Sequence, residues 1–343
     1  MFLYFFVFLF SFIISLILTN GIKRFSLNYG FHDVPDNERK IHVEKIPTLG
    51  GLAFFASVWG TFILLDATGI TPLEKIVLRM ISVSLFFIFV GILDDIKGVS
   101  AKLKLFIQVF AGSLFFLWNK NDLAIIYGNL LLTNTVLTFV SAFFFALLTN
   151  SINFVDGLDG LCAGVSIILS IPLLIFSIVI GKTYISYIIL SCIGALFAFL
   201  FFNFYPAKIF MGDTGSLFLG SLFSMIVMLL MYHIPENWTP FIILFTYPFL
   251  DLFLSVIRRF FGKRNIFAPD RLHIHHIIKG NDGNHTKSVL VIYSINLFYA
   301  ILSVLLFFLK LKSLYILYVI SIIVVSYYFL KRMLKRMKEK SVE

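Results

Sequence analysis

At 343 residues and a formal net charge of +10, the chain is long enough for two soluble domains, yet it is 59% hydrophobic and only 13% charged. Soluble domains run about 45–50% apolar and about 25% charged, so a soluble globular protein is excluded and one all-α polytopic integral membrane domain over residues 1–343 is expected. The positive charge comes without a basic helix or aromatic–basic module, which disfavours nucleic acid as a partner and favours the anionic surface of a lipid bilayer.

A membrane span needs roughly 20 apolar residues. Eleven are predicted, near residues 1–20, 48–66, 76–93, 103–119, 130–149, 161–181, 184–203, 214–232, 239–257, 289–309 and 313–330. The opening "MFLYFFVFLFSFIISLILTN" lacks a basic leader and a small-residue cleavage site, so it reads as a retained span rather than a signal peptide. With the N-terminus outside, 22 of the 28 lysines and arginines fall in the inner segments 21–47, 94–104, 150–160, 204–213, 258–288 and 331–343. The positive-inside rule then predicts N-out and C-in. The tail "KRMLKRMKEKSVE" is read as a juxtamembrane basic helix that serves as a topology anchor. Cys162 and Cys192 fall inside spans as small core residues, with neither disulfide nor metal spacing.

The acidic residues are few and gathered. Asp94 and Asp95 end the third span, Asp156 and Asp159 the fifth, Asp213 opens the eighth, and Asp251 lies near the inner end of the ninth. In the N-out arrangement all of them face the cytoplasmic surface. Ionisable groups in or beside spans are costly and mark functional sites. A lone aspartate there could simply cap a helix. Two adjacent carboxylates repel unless a cation or a basic partner compensates, and Lys97, Lys102 and Lys104 follow at once. A site for a cation plus phosphate accounts for both signs of charge.

In "MGDTGS", Gly212 and Gly215 would let backbone approach a phosphate, while Asp213 offers a hard oxygen to Mg²⁺. Asp156 and Asp159 are three apart and would share the face of a helical turn, with Asn150 and Asn153 spaced alike beside them. His273, His275 and His276 in "HIHH" have no cysteine or suitably spaced partner for zinc. Beside Arg271 they suit anion binding or proton handling better. A proton-coupled transporter would place its charges near the bilayer midplane, in matching broken halves. Here they sit at span ends on one side.

Five stretches together, "PDNERKIHVEKIPTLGG" (35–51), "GILDDIKGVSAKLKLFIQ" (91–108), "NSINFVDGLDGL" (150–161), "KIFMGDTGS" (208–216) and "APDRLHIHH" (268–276), resemble the polyprenyl-phosphate N-acetylhexosamine-1-phosphate transferases. The run "PDRLHIHH" points to the branch that makes undecaprenyl-diphospho-GlcNAc. The resemblance implies an eleven-span membrane enzyme that transfers GlcNAc-1-phosphate from UDP-GlcNAc to undecaprenyl phosphate and releases UMP. That would be the first membrane step of a cell-envelope polysaccharide pathway, such as O-antigen or teichoic acid. It implies Mg²⁺, with Mn²⁺ admissible in its place, and is compatible with a homodimer. A sister enzyme using another UDP-N-acetylhexosamine or UDP-MurNAc-pentapeptide is the alternative.

By the same resemblance, Asp213 is the first metal ligand, aided by Asp94 or Asn153, while Asp94 or Asp95 positions or deprotonates the lipid phosphate. Asp159 reads the uracil edge with Asp156 supporting the pocket. Lys97, Lys104 and Arg271 meet the diphosphate, and His273, His275 and His276 shape the sugar-phosphate loop.

Overall fold

A computed structural model describes residues 2–33, 46–119, 134–262, 274, 278 and 284–339. The chain is a bundle of helices: α1 (Phe2–Tyr29), α2 (Gly51–Ala67), α3 (Lys75–Lys97), α4 (Ala101–Trp118), α5 (Asn134–Val155), α6 (Leu161–Ile180), α7 (Thr183–Asn203), α8 (Gly212–His233), α9 (Thr239–Leu244), α10 (Thr246–Phe261), α11 (His285–Leu309) and α12 (Lys312–Glu339). Among the described residues the only sheet is a pair of two-residue antiparallel strands, β1 (His32–Asp33) and β2 (Ile46–Pro47), with His32 opposite Pro47.

Every predicted span coincides with a helix or a pair of helices. Nine helices among the described residues are long and apolar enough to cross a membrane, while α2, at 17 residues, is shorter. The span expected at 239–257 is broken at Phe245 into α9 and α10. The cause lies three residues on: Pro248 has no N–H to bond the Leu244 carbonyl, and a proline ring crowds that carbonyl.

Helix α8 is the axis. Of its most apolar window 94% is buried, against 6% for α12, so α8 packs on protein all round and α12 faces outward. Without water to drive them together, membrane helices approach through small residues. Gly51 of α2 and Gly91 of α3 both lie where an added Cβ would strike the backbone of Thr214 or Gly215 on α8. Ser11 and Ser15 of α1 donate to the carbonyls of Ser191 and Ala195 on α7 at 2.6 and 2.8 Å. The phenylalanines of the opposite face of α1 are exposed, Phe2 at 84% and Phe5 at 63%, as a lipid-facing surface requires. The polar ends of α3, α4, α5, α6, α7, α8 and α11 meet at one end of this bundle.

Candidate active site

The turn between α3 and α4 brings opposite charges together. Gly98 adopts φ +74 after α3, and Ser100 caps α4 by accepting the Leu103 N–H at 3.3 Å. The chain therefore reverses within three residues, and Lys104, in the first turn of α4, lies back over Asp94. Its Nζ donates to Asp94 Oδ2 at 3.0 Å and to Asp213 Oδ2 at 2.7 Å. The other oxygen of Asp94 accepts the Val99 N–H.

Asp95 points elsewhere. Adjacent residues on a helix lie about 100° apart, and Asp95 turns toward the start of α8. It accepts the N–H of Asp213 (2.8 Å), the N–H of Thr214 (3.1 Å) and the Thr214 hydroxyl (2.6 Å). A carboxylate there satisfies orphan donors and complements the positive end of the helix. Gly212, at φ +69, has room for no side chain against Asp95. Asp95 thus fixes the helix end that presents Asp213.

Asn153, in the last turn of α5, donates from Nδ2 to Asp213 Oδ1 at 3.1 Å and to Ser216 Oγ at 2.8 Å. It turns its amide nitrogen, the end that cannot ligate a cation, toward Asp213. Asn150 pairs instead with Gln108 of α4, which ties α4 to α5 behind the site.

Residues 156–160 form a tight turn, not the helical turn expected from their spacing. Gly160 reaches φ +75 and its N–H donates to Asn203 Oδ1 at 3.1 Å, while Asn203 Nδ2 donates to the Ile209 carbonyl at 2.9 Å. Asp159 Oδ2 accepts the Ala207 N–H at 3.0 Å. The connection from α7 to α8 is held on its other side by the Phe210 N–H on the Pro47 carbonyl, at 2.8 Å.

These segments enclose a cavity of about 370 Å³ lined by Thr48, Asp95, Asp156, Asp159, Asn203 and Asp213 among others. That is the size of a small-molecule site, roughly 300–1,000 Å³. The Asp156 carboxyl has no hydrogen-bonding partner among the described residues, while its N–H donates to the Asn153 carbonyl at 3.2 Å. Burial pushes its carboxyl up to about 8 from the ordinary 3.8, and the charges of Asp213, Asp95 and Asp159 add to the rise. The folded protein therefore keeps a proton that the unfolded chain releases near pH 4, and its stability falls as pH rises from about 4 through about 8. Asp156→Asn removes that loss. In thermal melts without ligand, the variant should exceed the parent by about 2 °C or more at pH 9, with the gap closing toward pH 4.

Among the described residues, no three His, Cys, Asp or Glu side chains gather closely enough to hold a metal by themselves. Asp94 and Asp213, meeting at one ammonium, nonetheless fit Mg²⁺, which is held by one or two carboxylates with water and substrate phosphate completing its shell. Lys97 is exposed at the end of α3, and among the described residues the ion pairs of Asp94 and Asp213 are with Lys104. Arg271, His273, His275 and His276 lie outside the described residues. Their neighbour Ile274 is buried, and its N–H donates to Asp251 Oδ1 at 2.8 Å, which ties Ile274 to α10.

Residues 77–231, which carry most of this site, match the model of glycosyl transferase family 4. Over 318 residues the chain is 37% identical to the probable undecaprenyl-phosphate N-acetylglucosaminyl 1-phosphate transferase of Bacillus subtilis, covering 87% of this chain and 84% of that protein. The chain belongs to glycosyl transferase family 4. Two further proteins are similar over most of the chain. The undecaprenyl-phosphate alpha-N-acetylglucosaminyl 1-phosphate transferase of Thermotoga maritima is 30% identical, over 84% of this chain and 87% of that one. The phospho-N-acetylmuramoyl-pentapeptide-transferase of Streptococcus pneumoniae is 31% identical, over 69% and 75%. Family resemblance in the sequence pointed to the acids and Lys104. It did not point to Gln108, Asn203, Thr214 or Ser216, whose partners lie on segments distant in the sequence.

Proposed function

We propose that the chain transfers N-acetylglucosamine-1-phosphate from UDP-GlcNAc to polyprenyl phosphate, releasing UMP. The observation that carries this is the Lys104 ammonium set between Asp94 and Asp213 at the lip of a nucleotide-sized cavity. The names of the relatives similar over most of the chain support the donor and the acceptor. A phosphate oxygen of the lipid attacks the β-phosphorus of the donor. The new P–O bond forms as the bond from that phosphorus to the bridging oxygen breaks, and UMP leaves with that oxygen. Two anions must meet, so the site has to lower their repulsion.

Lys104 supplies one fixed positive charge, while the first N–H groups of α8 are taken by Asp95, which aligns the helix end that presents Asp213. Asp94 and Asp213 would hold Mg²⁺, with the Asn153 amide holding Asp213 in place; the ion's role when bound is to neutralise the diphosphate and stabilise charge on the departing phosphate. A lipid phosphate is already largely ionised near neutrality, with a second pKa of about 6. Asp94 therefore suits holding it in line better than deprotonating it. Asp159 reads the uracil edge, and Asp95 acts as a positioning residue.

UMP release from UDP-GlcNAc by detergent-purified protein, with and without undecaprenyl phosphate and Mg²⁺, tests the reading. Release that requires both additions supports it. Release only with UDP-MurNAc-pentapeptide moves the protein to the sister branch, and no release with any UDP-amino sugar from folded protein defeats it.

The same reading puts this end of the bundle at the cytoplasmic face. Both native cysteines are buried, so introduced ones report cleanly. In sealed inside-out vesicles, Lys102→Cys should react with an impermeant maleimide and Thr183→Cys should not. The opposite pattern would invert the topology.

A further inference from the structure

His285 is a buried imidazole outside the five sequence motifs, at the start of α11. Asn284 caps that helix by accepting the Lys287 N–H at 2.9 Å, so the position of the ring is set by the helix rather than by a loop. His285 Nε2 accepts the backbone N–H of Asp159 at 3.2 Å, and the same nitrogen lies 3.9 Å from Asp159 Oδ1. The ring stacks on Tyr205, centroids 4.5 Å apart and planes 19° from parallel. Two turns along α11, the Tyr293 hydroxyl donates to the Gly160 carbonyl at 2.5 Å. One face of α11 therefore grips two consecutive residues of the turn that lines the cavity.

An imidazole nitrogen that accepts an N–H carries no proton, so the ring serves here with its proton on Nδ1. Asp159 is held at three points: its N–H by His285, its Oδ2 by the Ala207 N–H, and the following carbonyl by Tyr293. Oδ1 has no hydrogen bond among the described residues and belongs to a residue that lines the cavity. A free carboxylate oxygen accepts from a ring N–H and repels a ring lone pair. Uracil offers the first at N3 and cytosine the second.

We infer that His285, clamped by Tyr205, is a positioning residue that sets the choice of nucleobase by fixing where Asp159 presents Oδ1. The inference rests on the nucleotide reading above and adds to it a residue from a different helix. A buried histidine that merely supported the fold would weaken all nucleotides alike. A positioning role changes the ratio between bases.

The test measures UMP and CMP binding by calorimetry to the full-length protein and its variants. His285→Phe keeps the stacking and removes the acceptor; His285→Gln keeps an acceptor. The Phe variant should lose about tenfold in preference for UMP over CMP, as for one hydrogen bond of ordinary strength, while Gln retains most of it. Combined with Asp159→Ala, His285→Phe should cost no further preference, because the two act in series. An unchanged UMP:CMP ratio in His285→Phe overturns the inference, whether or not overall affinity drops. A full additional loss in the double variant overturns it too. If the Phe variant does not fold, Tyr205→Leu, at a half-exposed position, supplies the same comparison, and an unchanged ratio there counts against the inference equally. Wild-type protein with no preference for UMP would instead defeat the nucleotide reading itself.

Discussion

Asp213→Asn should lower kcat/KM for UMP release by at least about 10³-fold, on the scale expected when a charge-stabilising group is removed from a transferase site, while the protein still folds. The change is isosteric, but it converts an acceptor of both the Lys104 ammonium and the Asn153 amide into a group with one oxygen. Whichever way the new amide turns, its NH₂ faces a donor. The start of α8 does not depend on the side chain of Asp213, because Asp95 caps it through the backbone N–H groups of Asp213 and Thr214. Stability and catalysis are thus separable at this residue. Thermal melting should move little, whereas Mn²⁺ binding followed by electron paramagnetic resonance should weaken in parallel with the rate. A variant that keeps a tenth or more of the parent rate would move the metal to other ligands. Normal Mn²⁺ binding with lost activity would leave Asp213 a role on the phosphate rather than on the ion.

The spans were legible because a bilayer demands long apolar runs, and each run met its helix. The end of the first was less so: α1 continues to Tyr29, beyond the apolar stretch, since a helix needs no apolar side chains once it leaves the hydrocarbon, whereas the helical basic tail of α12, to Glu339, was legible. The break before α10 was written in Pro248 but hidden by apolar neighbours on both sides. At the site, the pair Asp94–Asp95 was visible and its division was not. Which carboxylate joins Lys104 and which caps α8 depends on where α8 arrives, 118 residues later. The turn at 156–160 reads as helical in the sequence because the i, i+3 spacing of its aspartates is the same in both, while the positive φ of Gly160 and the bond from the Gly157 N–H to the Val155 carbonyl make it a tight turn. His285 left no signal beyond a histidine after an asparagine just before a span. Its partner, Asp159, lies 126 positions away.

Lys104→Met should cut transfer by at least about 10²-fold, the loss typical of removing one preorganised charge, and at the same time tighten divalent-cation binding when no substrate is present. The two signs follow from one position. The ammonium lies within 3.0 Å of a carboxylate oxygen from each of Asp94 and Asp213, so it occupies the place where the opposing charges would otherwise attract a cation. Removing it leaves two like charges facing one another, and such a pair gains most from a divalent ion. On the proposed reading the same ammonium would serve elsewhere during transfer, on the diphosphate, with Asp94 and Asp213 as the residues that would hold the metal. A guanidinium is longer and planar and does not replace a point charge in this gap, so Lys104→Arg should restore little activity. Calorimetric Mn²⁺ titration of the ligand-free variant, set beside its UMP release, separates the outcomes. If both affinity and rate fall, Lys104 orders the carboxylates for the ion rather than competing with it. If the rate falls by less than about threefold, a loss too small for a preorganised charge, the positive charge on the diphosphate comes from a different residue.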